Sequence, residues 1–344
     1  MGWDVYCISP QDSYYLNLIQ MGCKHYPLNF KSSSKNPFLD LILLFKFYRI
    51  YRSIRPNIAF HFTVKNNIYG TLASSVLRIP SVNNVSGLGT AFLSTSFSSY
   101  VVKFLYKISQ PLAHKVFCQN IEDFNYLSKQ NLVPKESLDL LPGSGVDLHR
   151  FQPQLRSKAN DSDSSFTFLY AGRMLKDKGV LELVKAFSEI NKANKKCKLI
   201  LCGFSEADNN SAISKDELHS ISKIPFIDYI GSTDKIEDVL ARVDCVVLPS
   251  YREGMPKILL EAGAMGLPSL ASDVPGCRNV IQNEVNGLLF KPKCIKSIKT
   301  ALNVMLSMNN LERANMGLKA RKIIEENFDE EIVINKFFDV LKDF

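Results

Sequence analysis

The sequence lacks several signatures that would settle its class at once. It has no CxxC pair, no cysteine–histidine spacing suited to a metal, no internal repeat and no low-complexity tract. Its eight cysteines, at positions 7, 23, 118, 197, 202, 245, 277 and 294, are scattered; they read as reduced thiols, not as a disulfide framework. No uncharged apolar run approaches the ~20 residues that a membrane span needs. The opening "MGWDVYCISPQD" has no basic segment followed by an apolar one, so no signal peptide is expected and the cytoplasm is the expected compartment. What remains is the composition of an ordinary globular protein, 46% hydrophobic and 22% charged. Its 344 residues suit two domains better than one.

Charge is uneven. Residues 1–150 carry 15 Lys and Arg against 8 Asp and Glu, while the remainder carries 27 against 26. Nearly all of the net +8 therefore lies in the first half, which implies an anionic partner there. No basic motif with interleaved stacking aromatics appears, so nucleic acid is not expected. The segment 37–56, "PFLDLILLFKFYRIYRSIRP", combines apolar and aromatic residues with Lys46, Arg49, Arg52 and Arg55. Such a helix suits an anionic membrane surface; a core helix with a solvated basic face is the competing reading. The same choice stands for 91–107, with Lys103 and Lys107.

Short β-rich runs alternate with helix-length segments throughout. The runs 4–8, 57–61, 81–86, 115–119, 166–171, 198–203, 226–230, 244–249 and 268–272 read as strands. Helices are expected at 13–21, 38–55, 66–77, 99–112, 178–193, 234–242 and 256–265, then at 295–309, 311–326 and 330–342. This alternation implies parallel sheets covered on both faces, hence two doubly wound α/β domains. The polar stretch 156–165 reads as a linker. The expected division is 1–153 and 154–326, with 327–344 as a terminal helix returning to the first domain. Ligands of such sheets bind beyond the carboxyl ends of the strands.

The loops after 171 and 249 are the informative ones. Arg173 and Lys178 lie in a strand-to-helix loop, where cations meet an anion at a helix N-terminus; two ordinary solvated charges are the competing reading. In "SYREGMPKILLEA", Pro256 is expected as the first helical residue. The amides around Gly254, Met255, Lys257 and Ile258 are then unsatisfied donors suited to phosphate. Glu261 falls within roughly 60° of Ile258, Ala262 and Met265 on that helix, an odd place for a carboxylate. Two cations and two helix starts describe a diphosphate site. Glu253 and Glu261 would then accept hydrogen bonds from hydroxyls on either side of it, as a nucleotide sugar provides. A buried carboxylate satisfied by neighbouring groups is the alternative for Glu261.

"EGMPKILLE" matches the E-x7-E signature of the retaining GT-B glycosyltransferases of family 4. With it stand "AGRMLKDKG", "LLPGSGVDLHRFQP", "YIGSTDKIEDVLARVDCVVLPSYREG", "SDVPGCRNVI" and "NGLLFKP", in family order. "VKNNIYGTLAS" and "VSGLGTAF" resemble the subgroup that builds capsules, O-antigens and related glycans on a polyprenyl diphosphate carrier. The resemblance implies two Rossmann-like domains facing across a cleft. It also implies transfer of a hexose or N-acetylhexosamine from a nucleotide sugar, with uridine diphosphate as the family-level expectation. The acceptor would be a lipid-linked or plain saccharide, met peripherally at the inner face of the cytoplasmic membrane. Arg173 and Lys178 would hold the donor diphosphate with amides at Gly254, Met255 and the neighbours of Pro256. Glu261 would take the ribose hydroxyls and Glu253 those of the sugar. The catalytic set is then Glu253, Arg173 and Lys178, and no metal or other cofactor is expected. On the acceptor side the resemblance points to His61, Lys65, Gly87 and Gly89; a packed strand-end histidine is the competing reading for His61, and plain turn glycines for Gly87 and Gly89. Against the family pattern, an opening β-α unit of about 25–30 residues is missing. Nucleotide-sugar 2-epimerases share the fold and are the competing enzyme class; a truncated, inactive binding fragment is the third reading.

Overall fold

The computed structural model describes residues 2–12, 14–30, 36–88, 92, 97–153, 165–193, 197–205 and 211–344. Gly89 and nearly all of the expected linker 156–165 lie outside the described residues. The chain divides into two compact units, one of residues 1–118, 124–139 and 344, the other of 119–123 and 140–343. The terminal helix thus counts with the second unit, apart from Phe344.

The first unit runs β1 (Tyr6–Ser9), α1 (Tyr15–Gln20), β2 (Lys24–Pro27), α2 (Pro37–Ile54), β3 (Ala59–Phe62), α3 (Thr71–Val76), β4 (Ser81–Val85), α4 (Phe97–Ser109), β5 (Lys115–Cys118), α5 (Ile121–Lys129) and β6 (Leu138–Leu140). Its strands lie in two sheets, β1-β2 and β3-β4-β5-β6. Helix α2 begins where the Asn36 side chain accepts the Phe38 amide, with Pro37 in the first turn, and it ends at Arg55 in the left-handed region. Leu43, Phe47 and Tyr51 recur every four residues and form its buried stripe.

A polar network fills the centre of this unit. His61 on β3 is 3% exposed; its Nδ1 lies 2.8 Å from Asn83 Oδ1 and its Nε2 2.8 Å from the Tyr51 hydroxyl. An amide oxygen only accepts, so Nδ1 carries the proton and Nε2 accepts from tyrosine. Thr71 Oγ1 donates to Asn83 Oδ1, and Asn83 Nδ2 donates to Gln110 Oε1. Burial lowers the His61 pKa to about 4, so the ring is neutral at physiological pH. The expectation that His61 faces an acceptor is therefore corrected: both ring nitrogens are used and the ring is enclosed. Gly70 makes room for it, since a Cβ there would strike the imidazole. Lys65 is likewise committed, its ammonium 2.6 Å from Asp40, which also accepts from the Tyr69 hydroxyl.

The second unit runs β7 (Phe166–Ala171), α6 (Val180–Ala193), β8 (Cys197–Cys202), α7 (Lys215–Ser222), β9 (Ile227–Gly231), α8 (Ile236–Leu240), β10 (Cys245–Leu248), α9 (Lys257–Ala264), β11 (Ser269–Ser272), α10 (Cys277–Val280) and β12 (Gly287–Phe290). Three helices follow: α11 (Ile295–Ser307), α12 (Asn310–Asn327) and α13 (Glu330–Leu341). The sheet order is β12-β11-β10-β7-β8-β9, and every pairing is parallel. Strands buried on both faces need apolar side chains throughout, which is why CVVL of β10 and most of FTFLYA of β7 are buried. The order runs outward in opposite directions from β7 and β10. Their carboxyl ends are therefore the topological switch point, where an open parallel sheet leaves a crevice.

Candidate active site

Arg173 and Lys178 follow β7, and Glu253 follows β10, so the switch point brings the expected residues together. Gly179, at φ +71°, packs against the Pro249 carbonyl, which brings the two loops close. The Tyr251 amide donates to the Asp177 carbonyl at 2.9 Å, and the Tyr251 hydroxyl donates to Glu182 Oε1 on α6 at 2.6 Å. Held this way, Lys178 Nζ and Glu253 Oε1 lie 2.6 Å apart, with side chains only 19% and 13% exposed. Arg173 has an exposed side chain, and its carbonyl accepts the hydroxyl of the fully buried Tyr170 at 2.8 Å.

The next residues are pinned from a third direction. Arg252 Nη2 donates to Asp123 Oδ1 at 3.0 Å, and Asn120 Nδ2 donates to the Gly254 carbonyl at 3.2 Å. Gly254 and Met255 are half-buried. Pro256 is extended, at φ −77° and ψ 111°, and caps α9 from just outside. The expected helix start thus moves by one residue, because only at Lys257 does the backbone turn helical. The amides of Lys257 and Ile258 fall in the first turn of α9, where the helix itself supplies no acceptor.

Glu261 lies on α9, yet not on a stripe: every residue from Ile258 to Ala264 is buried. The helix is enclosed all round, and Glu261 is 9% exposed. Burial raises its pKa, an effect opposed by the charges of Lys257 and Arg150. Arg150 is itself held by Glu237 and the Asp234 carbonyl, both at 2.7 Å. Among the described residues no donor hydrogen-bonds the Glu261 carboxylate. A carboxylate this buried and this little satisfied is suited to a ligand's hydroxyls.

Tyr170, Glu182 and Asn120 escaped the sequence reading, since nothing in their spacing marks them as supports; Tyr251 and Arg150 lay within quoted motifs but were given no role. Gly276 had a signal, the "SDVPGCRNVI" motif, but no role. It sits at φ +74°, and a Cβ there would strike the Gly254 and Glu253 carbonyls. Gly276→Ala is expected to displace that loop and lower kcat/KM by on the order of 10–100-fold. Gly231→Ala, at φ +72° with nothing near its would-be Cβ, carries similar strain without the collision. Steady-state kinetics of the pair check this; equal losses would refute it. Of the remaining residues, Gly87 is half-buried at φ +145°, a backbone that favours glycine whatever its role.

Two α/β units, the second an open parallel sheet with Lys178 and Glu253 meeting at its switch point, make this a doubly wound fold with a candidate ligand site there. The family Glycosyl transferases group 1 matches residues 151–323, and Glycosyl transferase 4-like matches residues 1–120. The chain belongs to the group 1 glycosyltransferases. It is 29% identical, over 97% of its length and 89% of the relative's, to the N,N'-diacetylbacillosaminyl-diphospho-undecaprenol alpha-1,3-N-acetylgalactosaminyltransferase of Campylobacter jejuni. It is 27% identical, over 88% and 79%, to an Escherichia coli UDP-Gal:alpha-D-GlcNAc-diphosphoundecaprenol alpha-1,3-galactosyltransferase. Among solved structures, Anabaena HepE in complex with UDP matches with TM-score 0.79 at 15% identity, covering 99% of this chain and 100% of that one. Sucrose-phosphate synthase of Thermosynechococcus elongatus matches with TM-score 0.81 at 18% identity, covering 99% and 89%. The fold is GT-B, and the enzyme is a glycosyltransferase.

Proposed function

We propose that the enzyme moves a hexose or N-acetylhexosamine, with retention, from a uridine diphosphate sugar to a polyprenyl-diphosphate-linked saccharide. The observation that carries this reading is the meeting of Lys178, Glu253 and the α9 N-terminus at the switch point, with buried Glu261 on the same helix. The diphosphate lies against Arg173, Lys178 and the amides around Gly254, Met255 and Lys257; Glu261 accepts from the ribose and Glu253 from the sugar. The bond from the anomeric carbon to the diphosphate oxygen breaks, and the acceptor oxygen bonds to that carbon on the same face. The acceptor's proton passes to the departing diphosphate. Arg173 and Lys178 meet the negative charge as it builds there, so the reaction as proposed draws on no metal.

The first unit takes the acceptor in this reading, at a membrane surface. Helix α2 exposes Phe38, Leu41 and Phe45, and its outer face has an open hollow of ≈ 500 Å³ lined by Phe45, Tyr48, Arg49, Arg52 and Ser53. Helix α4 exposes Phe97, Tyr100 and Phe104, with Lys103 and Lys107 on the same helix. Apolar side chains among cations suit anionic headgroups, and no described helix is long and apolar enough to cross a membrane. Support for the acceptor class comes from the named relatives, which are transferases acting on diphospho-undecaprenol substrates; they do not favour the 2-epimerase reading.

One assay tests these points together: UDP release from a panel of UDP-sugars, with polyprenyl-diphosphate-linked saccharide in anionic or zwitterionic vesicles, with and without EDTA. Release is expected only with acceptor, faster on anionic vesicles, and unchanged by chelation. Conversion of the donor to an epimer without acceptor would sink the transferase reading.

A further inference from the structure

Resting on the donor site proposed above, we infer that Glu253 serves as the site's own counter-charge to Lys178, weakening its hold on a nucleoside diphosphate from which the sugar has gone. The pair is 2.6 Å apart and largely shielded from water, where opposite charges interact more strongly than on an open surface. It is also fixed. Gly179 is packed on the Pro249 carbonyl beside Lys178, and the Tyr251 amide is bonded to Asp177 two residues before Glu253. Neither side chain sits on a loop free to carry it away from the other.

Two ligands meet this pair differently. A complete donor carries sugar hydroxyls that donate to Glu253, a group that in its ionised form only accepts. Those hydroxyls replace the ammonium as partners of the carboxylate, and Lys178 is released to the diphosphate. A nucleoside diphosphate without sugar has no donor to offer Glu253. Its phosphate must share the ammonium with the carboxylate, and two anions at one cation repel each other. Glu253 thus favours the donor over the spent nucleotide and hastens departure of the product.

Calorimetric titration with UDP tests this on the protein and its Glu253→Gln variant, a nearly isosteric change that removes the charge. UDP is expected to bind the variant at least about tenfold more tightly, and uridine, which lacks phosphate, to bind both alike. In turnover, inhibition by UDP is expected to strengthen by the same factor. UDP binding to the variant no tighter than to the wild type would overturn the proposal while leaving the donor-site reading intact. If the wild type bound none of UDP, GDP, ADP and dTDP, the donor-site reading would fall and the proposal with it. Glu253→Ser supplies the same comparison should the glutamine variant not fold.

Discussion

Arg173→Ala is expected to lower kcat by on the order of 10²–10³-fold while leaving the fold intact. The loss follows if Arg173, placed after β7 at the switch point, meets the charge that grows on the departing diphosphate as proposed. Removing one donor aimed at developing charge typically costs about 2.7–4 kcal/mol of transition-state stabilisation. Stability should move by no more than about 0.5 kcal/mol, because the side chain is exposed. The contact that positions the residue, from the Tyr170 hydroxyl, goes to its backbone carbonyl and survives the substitution. Arg173→Lys should recover part of the rate, since it restores the charge but not the planar fork of donors. The check is single-turnover release of UDP alongside a thermal melt. A kcat within threefold of wild type, with an unchanged melting temperature, would remove Arg173 from the catalytic set.

The second unit was largely readable from the residues. Its strands are apolar runs bounded by turn residues, and each of the five expected there falls within about two residues of the observed one. Strand β12 went unread because Gly287–Phe290 is only four residues long and begins with glycine. Helix α7 went unread although Ser214 and Glu217 form a capping box, because little apolar periodicity follows the cap. In the first unit, β2 is short and polar, KHYP, and β6 has three residues; neither shows the alternation that marks a strand.

Site residues divide in the same way. That Lys178 and Glu253 would lie near each other was legible, because both follow strands whose carboxyl ends meet at the switch point. His61 stayed open between an acceptor-side and a packed histidine because a strand-end histidine looks alike in a cleft or in a core. Only the tertiary positions of Tyr51, Asn83 and Thr71, on three other elements, enclose it. The enclosed α9 was beyond periodicity as well. "KILLEAGA" shows apolar residues on most sides, but a single polar residue invites a stripe to be drawn through it.

Glu261→Gln is expected to separate activity from stability in opposite directions. The carboxylate's folded pKa lies above its ordinary value because the group is buried. The folded protein therefore binds its proton more tightly than the unfolded chain does. Between the ordinary and the raised value the native state holds more protons than the unfolded state, so stability falls as pH rises through that window. At neutral pH the ionised carboxylate is a burden that the amide does not carry, and the variant should melt above the wild type. That advantage should shrink as pH is lowered through that window, as the carboxylate takes up its proton. Donor binding should move the other way: trading an acceptor-only carboxylate for an amide costs one charge-assisted hydrogen bond to the ribose, and KM should rise on the order of 10–100-fold. Melting curves across pH 4–8 and donor KM at neutral pH measure both. A variant less stable than wild type at neutral pH, with an unchanged KM, would show instead that Glu261 is a structural carboxylate satisfied within the protein.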